Sequence, residues 1–353
     1  MRSLVFRGTQ EQAFELTEHD APEPSAGEVL VDIECTTICG SDLHTITGRR
    51  VAKLPIVLGH EIVGTVSALG PDAPRTIDGR ELSAQDHIVW SLVVACGACD
   101  PCRRRHEERC AKRFKYGHES TNDAPCSGGL SDRCLLRHGT AIAHVPEGLD
   151  DRVAASTACA GATAAAVLRR LGNIERDSVV VFGCGLLGLC AIDSAKRAGA
   201  SRVIAVDVDG DRLARATKFG ADAMIFGNDP DDTRTGLSAL LPAGADVAIE
   251  ASGSSTAATI ALACLALGGR AAFVGSVFPS DPISIVPEDL VRRRLTVFGQ
   301  HNYEPRDLLS ALAMMRQSSA PYAECFTDPI PLADVGPVLA SGTPSALRIA
   351  VRP

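Results

Sequence analysis

Aromatic side chains are scarce: ten Phe, three Tyr and one Trp make up 4% of the 353 residues. Together with 32 glycines and an alanine- and valine-rich remainder, this favours an α/β protein over a β-sandwich. Long apolar runs are missing as well. No stretch approaches the roughly 18 uninterrupted apolar residues of a membrane span. The stretch from Ala154 to Leu168 is broken by Ser156, Thr157, Gly161 and Thr163, so it reads as a packed helix. The start, MRSLVFRGTQEQAFELTEHD, has no apolar segment of signal-peptide length. An excess of positive charge is also lacking. Thirty-five basic against 43 acidic residues leave a net charge of −8, which argues against nucleic acid or a membrane surface as partner. The expected setting is cytoplasmic and reducing, where cysteines serve as metal ligands more often than as bridges.

What is present is ordinary globular composition, 45% apolar and 22% charged. At about 150 residues per domain the length predicts two domains. Thirteen cysteines are the unusual feature. An odd count excludes complete disulfide pairing, and the chain is too long for a small secreted scaffold.

The first 155 or so residues are rich in short apolar runs, Val29–Ile33, Ile62–Leu69 and Ile88–Val94, separated by Gly, Pro and Asp turns. From about residue 160 strand-like and helix-like runs alternate: Ser178–Phe182, Leu186–Ala198, Arg202–Val206, Gly210–Phe219, Ala223–Phe226, Val247–Glu250, Thr256–Leu265 and Arg270–Val274. Such alternation predicts a parallel sheet with crossover helices. The polar segment Asn228–Thr235 reads as an exposed loop, and Pro305–Arg316 as a helix.

Val179–Phe182 runs as a buried strand into Gly183-Cys184-Gly185-Leu186-Leu187-Gly188, a G-x-G-x-x-G turn opening a helix. Gly183 permits the tight turn, Gly185 lets the backbone approach a pyrophosphate, and Gly188 lets helix and strand pack closely. The helix N-terminus, from Leu186 and Leu187 onward, offers amide N–H groups to phosphate. Asp207 follows Gly188 by nineteen residues, near the spacing of about 20 expected for the acid that binds the adenosine ribose. That carboxylate would repel a 2′-phosphate, so NAD is expected rather than NADP. Arg212, close by, is either a phosphate contact or a surface helix residue.

Cys96-x2-Cys99-x2-Cys102-x7-Cys110 places four thiols within fifteen residues. Four thiolates around a tetrahedral ion form the closed, structural kind of zinc site, able to order a lobe too polar for a core of its own. A second constellation is dispersed: Cys39-Gly40-Ser41-Asp42-Leu43-His44 and, twenty-one residues after Cys39, His60-Glu61. Thiolate, imidazole and carboxylate all suit zinc, and a catalytic zinc needs three protein ligands and one open position.

In this order, G-H-E at 59–61, C-G-S-D-x-H at 39–44, the four-cysteine lobe and the glycine fingerprint resemble the zinc-dependent medium-chain alcohol dehydrogenases over essentially the full chain. Val89-Trp90-Ser91, Lys115-Tyr116-Gly117-His118-Glu119 and Gly139-Thr140-Ala141-Ile142 are most similar to a subgroup associated with phosphonate metabolism. The resemblance implies a GroES-like β-barrel catalytic domain, residues 1–158 with 299–353 returning to it. A Rossmann domain with a doubly wound parallel sheet, residues 159–298, is inserted, and the active site lies between the two. It implies Cys39, His60 and Cys159 as catalytic zinc ligands and two zinc ions per chain. Glu61 corresponds to the acid that approaches zinc during ligand exchange, and Asp42 orients His60 through its distal N–H. Ser41 relays the alcohol proton through the cofactor ribose toward His44, whose ordinary pKa of about 6.5 suits exchange with water. Thr163 packs near the nicotinamide, and Arg348, in Ser345–Ile349, contacts the pyrophosphate.

The implied reaction is hydride transfer between an alcohol and an aldehyde or ketone on one side and NAD on the other. Lys115, Tyr116 and His118, just past the lobe, are candidates for a handle on an anionic group, with Leu92 and less surely Trp90 as apolar wall. A solvated basic loop is the alternative. Competing readings are a polyol or amino-alcohol dehydrogenase and a catalytically silent dinucleotide-binding protein. Homodimers or homotetramers are expected from the resemblance.

Overall fold

The computed structural model describes residues 1–8, 13–341 and 346–353. The chain divides into two compact units. The first holds Met1–Ala162, Glu304–Gln317 and Tyr322–Pro353; the second holds Thr163–Tyr303 and Ser318–Pro321.

The first unit is organised by one long strand, Val29–Ile38, whose Val, Ile and Thr side chains are buried at almost every position. It pairs antiparallel with Glu61–Leu69 along one side. Along the other it pairs with Arg133–Leu136 and with Ile349–Arg352. The sheet continues through His87–Trp90 to Ile142–His144, and a three-stranded sheet of Phe14–Glu18, Arg2–Phe6 and Ile56–Val57 accompanies it. Strand register selects which side chains meet. Thr37 lies opposite Glu61, and Ile38 opposite Ile349. One end of this strand therefore brings together Cys39, His60-Glu61 and Arg348, which are far apart in the sequence.

The second unit contains a six-stranded sheet, parallel throughout, ordered Ala223–Phe226, Arg202–Asp207, Ser178–Phe182, Ala245–Glu250, Leu265–Phe273, Thr296–Gly299. This is the 3-2-1-4-5-6 order of dinucleotide-binding sheets. Its core is aliphatic, with Val180, Phe182, Ile204, Ala248 and Ala271 at the centre, which accounts for the scarcity of aromatic residues. The architecture is the α/β one expected, a GroES-like portion plus a Rossmann sheet.

Local expectations fare unevenly. Asn228–Thr235 is not simply a loop, because a helix spans Pro230–Leu240. Asp229 caps it by accepting from the Asp231 and Asp232 amides, Pro230 stands in the first turn, and Leu237 is buried. The polar run is the outer face of an amphipathic helix. The apolar stretch from Ala154 is helical but interrupted: Asp151–Ser156 and Ala162–Leu171 are α-helix, and Thr157–Gly161 is a π turn that carries Cys159. Among the described residues no helix is long and apolar enough to cross a membrane.

Candidate active site

Strand Val29–Ile38 stops at Cys39, whose extended backbone (φ −83°, ψ 160°) starts the helix Gly40–Ile46. Asp42, in the first turn of that helix, is almost fully buried and binds in three directions. One carboxylate oxygen accepts from the Cys39 amide at 2.9 Å. The other accepts from His60 Nδ1 at 3.2 Å and from the Gly59 amide at 3.4 Å. Asp42 thus fixes both neighbouring segments and holds the His60 ring so that Nε2 is left for another partner. Ser41 Oγ lies 3.4 Å from that Nε2.

Cys39, His60, Glu61 and Cys159 bring one donor atom each to within 4.8 Å of one another. Neither thiol is bridged in a disulfide. Cys159 comes from the π turn, a local widening of the helix that frequently marks functional sites. The hydrogen bond from the Cys159 thiol holds the Cys39 thiol well below its ordinary range, against the effect of burial, and Arg348 adds to this. The same bond, with burial, pushes Cys159 up. Burial alone would depress the His60 imidazole, but the charge and hydrogen bond of Asp42, with Cys39, raise it to about 10. Glu61 is wholly buried and raised to about 7 by desolvation, although Arg348 pulls the other way. Deprotonated thiolate, oriented imidazole and adjacent carboxylate form a donor set that fits zinc.

In the second cluster, Cys96, Cys99, Cys102 and Cys110 also place their sulfurs within 4.8 Å of each other. Cys99 Sγ lies 3.3 Å from Cys102 Sγ and 3.8 Å from Cys110 Sγ. A zinc–sulfur bond of about 2.3 Å in a tetrahedron separates sulfurs by about 3.8 Å, so the four thiols fit a structural ion. Backbone amides of Cys102 and Ala111 lower the Cys99 thiol to about 6, while burial raises Cys102 to about 12. His106, Glu108 and Glu304 also come within 4.8 Å. Their carboxylates are answered by Arg109 (3.2 Å) and Arg306 (2.7 Å).

The glycine fingerprint shows what each residue does. Gly183 has φ +92°, and a Cβ there would meet the Ser252 backbone at 2.7 Å. A Cβ on Gly188 would fall 1.8 Å from the Gly183 carbonyl. On Gly185 it would meet no described atom within 4 Å, an open cradle at the N-terminus of helix Leu186–Arg197. Leu186 is buried and Leu187 half-buried in that first turn. Such a turn fits a dinucleotide pyrophosphate. Asp207 ends its strand with one oxygen accepting from the Cys184 amide (2.6 Å) and the other from the Asp209 amide (3.0 Å). A carboxylate has about four acceptor directions, so it supports the loop and retains capacity for hydroxyl donors. Arg212 is exposed, 3.7 Å from Asp209. Thr163 and His44 are half-buried, and burial with nearby Arg49 lowers the His44 imidazole.

Two residues stand in surroundings that the sequence does not indicate. Arg348 turns its guanidinium toward the metal cluster. Its Nε bonds Glu61 at 3.0 Å, Nη2 reaches Glu61 and the Cys39 sulfur at 3.3 and 3.4 Å, and Nη1 donates to the Leu347 carbonyl. Every guanidinium nitrogen is committed beside the metal cluster; Ser345, in the same motif, lies outside the described residues. Tyr116 is not a substrate handle. It is fully buried between Trp90 and Phe114, and its hydroxyl accepts from the Arg137 amide (2.9 Å) and lies 2.6 Å from Thr140 Oγ1. Trp90 belongs to the same core, and buried Leu92 receives the Tyr116 amide on its carbonyl.

Lys115 and His118 remain near the cluster. The His118 ring stands edge-on to His60 with centroids 5.0 Å apart. The sequence reading missed Arg50, half-buried after the helix that starts at Cys39 and electrostatically linked to Cys39 and Asp42. It carries no motif; only its position six residues past His44 points to it.

Comparison with known proteins agrees with this architecture. Residues 25–147 match the alcohol dehydrogenase GroES-like domain, and residues 187–317 match the zinc-binding dehydrogenase family. An alcohol dehydrogenase of Rhizobium meliloti is 32% identical over 304 residues, covering 84% of this chain and 83% of that protein. A sorbitol dehydrogenase of Halalkalibacterium halodurans is 28% identical, covering 90% and 89%. The crystal structure of an alcohol dehydrogenase from Thermotoga maritima superposes with a TM-score of 0.92 at 27% identity, covering 100% of this chain and 99% of that one. Two zinc-compatible donor sets, a glycine-lined dinucleotide turn and this likeness along nearly the whole chain lead to one conclusion: the protein belongs to the zinc-binding alcohol dehydrogenase family of NAD(P)-dependent oxidoreductases.

Proposed function

We propose that the chain oxidises an alcohol to the corresponding aldehyde or ketone with NAD, using a catalytic zinc held by Cys39, His60 and Cys159. The observation that carries this reading is the meeting of those donors with Glu61 within 4.8 Å, with Asp42 fixing the imidazole. When bound, zinc would supply Lewis acidity to the substrate hydroxyl, and NAD would supply a hydride acceptor. The chain's residues do the rest. Asp42 orients His60, and Arg348 neutralises buried Glu61 so that it can stand beside the ligands. Ser41 takes up the hydroxyl proton and passes it toward His44, three residues on along the same helix and so on a neighbouring position of its face. Cys96, Cys99, Cys102 and Cys110 hold a second, structural zinc. Thr163 packs near the nicotinamide. Asp207 favours NAD over NADP through the ribose hydroxyls, and exposed Arg212 plays no part in that choice.

The sorbitol dehydrogenase relative supports a polyol as the alternative substrate class. A subgroup role in phosphonate metabolism rests on the short stretches around Trp90, Lys115 and Thr140. Cytoplasmic placement and assembly into homodimers or homotetramers belong to the same reading; exposed Leu267 and Val291 in the second unit offer apolar surface for self-association.

The test is a zinc-loaded sample given NAD or NADP and a panel of primary, secondary and poly-alcohols, followed by absorbance of the reduced nicotinamide. Reduction of NAD that is lost in Cys39→Ala and Cys159→Ala supports the reading. No reduction with any alcohol would favour a silent dinucleotide-binding protein.

A further inference from the structure

The segment Lys115–His118 is pressed onto the strand that carries His60. Gly117 adopts φ +68°, and a Cβ on it would sit 2.4 Å from the Gly59 carbonyl oxygen. That fit places Lys115 and His118 beside the donor cluster, and it is why the His118 ring meets the His60 ring.

His118 has one ring nitrogen engaged with the backbone. Its Nδ1 lies 2.9 Å from the Tyr116 carbonyl, which can only accept, so that nitrogen bears the proton. Burial, together with His60, Arg50 and Lys115, drives the ring well below its ordinary pKa. The positive charge of the region comes from Lys115 and Arg50. Both are half-buried, and burial lowers both; Lys115 falls to about 8, with Arg113 and Arg50 adding repulsion.

The Arg50 guanidinium makes no hydrogen bond or ion pair with any described residue. Other half-buried arginines do: Arg152 with Asp150 (2.7 Å) and Arg202 with the Leu240 carbonyl (2.7 Å). The carboxylates that act on the two cations, Asp42 on Arg50 and Glu119 on Lys115, have other hydrogen-bond partners. Asp42 is committed to the Cys39 and Gly59 amides and to His60, and Glu119 to Lys53 at 3.3 Å. Two partly desolvated cations interact electrostatically, and Asp42 and Cys39 act on Arg50 by charge without hydrogen-bonding it. An oxyanion bound between the two cations would offset their mutual repulsion and give Arg50 a charged hydrogen-bond partner.

We propose that Arg50 and Lys115 form an anion-recognising wall beside the donor cluster, and that the substrate is a hydroxyalkyl compound bearing a phosphonate, phosphate or carboxylate group. The proposal rests on the dehydrogenase reading for its reaction but not for its binding site. Guanidinium supplies a planar two-donor fork for an oxyanion, and ammonium a point charge.

Two measurements test it. The first compares kcat/KM for 2-hydroxyethylphosphonate, 3-hydroxypropionate and uncharged 1-propanol in the zinc-loaded wild type, Arg50→Gln, Arg50→Lys and Lys115→Gln. The anionic-to-neutral ratio is expected to fall by roughly tenfold or more in Arg50→Gln and in Lys115→Gln, through KM, and to be largely kept in Arg50→Lys. The second is calorimetric titration of the protein with methylphosphonate, which has no hydroxyl to oxidise. Binding to wild type, weakened roughly tenfold or more in Arg50→Gln, supports the wall. An enzyme that oxidises 1-propanol as well as either anionic alcohol overturns the proposal and leaves the dehydrogenase reading standing. If no alcohol is oxidised, the dehydrogenase reading fails, and methylphosphonate binding still decides the wall: equal affinity in wild type and Arg50→Gln, or no binding to either, overturns it.

Discussion

At the scale of single residues, the same chemical group takes its role from what it touches. Tyr116 and Lys115 are neighbours in the sequence, yet one is sealed in the core and the other is only half-buried. Tyr116→Phe leaves the Arg137 amide without its acceptor, so stability should fall by about 1–3 kcal/mol. Chemical denaturation measures this, and substrate preference should be unchanged. A shift in preference would restore Tyr116 to the substrate wall. Asp42 works at a distance from the reacting atoms. Removing it in Asp42→Ala frees the His60 ring and the Cys39 amide together. Catalytic zinc affinity or activity should drop by roughly 10–100-fold, the usual consequence of losing the group that orients a ligating histidine. Metal titration separates that loss from unfolding, because zinc in the four-cysteine lobe should be retained.

At the scale of elements, caps and short spacings decide local structure. Helix Asp151–Ser156 starts at Asp150, whose side chain accepts from the Arg152 amide. The helix leads directly into the π turn that bears Cys159, so its stability bears on the site. The Arg152 side chain, hydrogen-bonded to Asp150, holds that carboxyl below its ordinary pKa. A group with a depressed folded-state pKa contributes stability above its unfolded value, near 3.9, and loses it as pH falls through the folded one. Asp150→Ala should therefore cost about 1 kcal/mol at pH 7, the usual worth of such a cap, and progressively less below pH 4. Thermal melts of both proteins at pH 7 and pH 3 give the difference. The four-cysteine lobe is an element of another kind, ordered by sulfur rather than by apolar burial: Cys96 is exposed and its intervening residues are largely charged. Cys110→Ser should reduce zinc from two ions per chain to one and make the lobe sensitive to proteases, as read by metal analysis and limited digestion.

On the scale of the whole molecule, the long strand Val29–Ile38 is the organising device. Its antiparallel partners come from residues 61–69 and 349–352, and the pairing register sets His60-Glu61 and Arg348 against Cys39. The parallel sheet of the second unit does the same for the cofactor turn, placing Asp207 next to the Cys184 amide. Both arrangements depend on contacts across large sequence separations, and they share little with the local motifs that announce them.

The sequence by itself determined the class of protein and most donors. Short spacings such as Cys96-x2-Cys99, the G-x-G-x-x-G turn and Cys39-to-His44 are local constraints: few backbone paths satisfy them, so they can be read without a fold. It also carried the strand–helix alternation of the second unit. It did not reveal the helix Pro230–Leu240, where a polar outer face masked the buried Leu237. The tertiary structure decided what had no local signature. It paired Arg348 with Glu61, buried Tyr116, interrupted the helix at Cys159 with a π turn, and brought Arg50 within electrostatic reach of Lys115. Each arises from strand register and side-chain packing between distant segments. Charge and hydrogen-bonding partners there are chosen by proximity in space, which one-dimensional spacing does not encode.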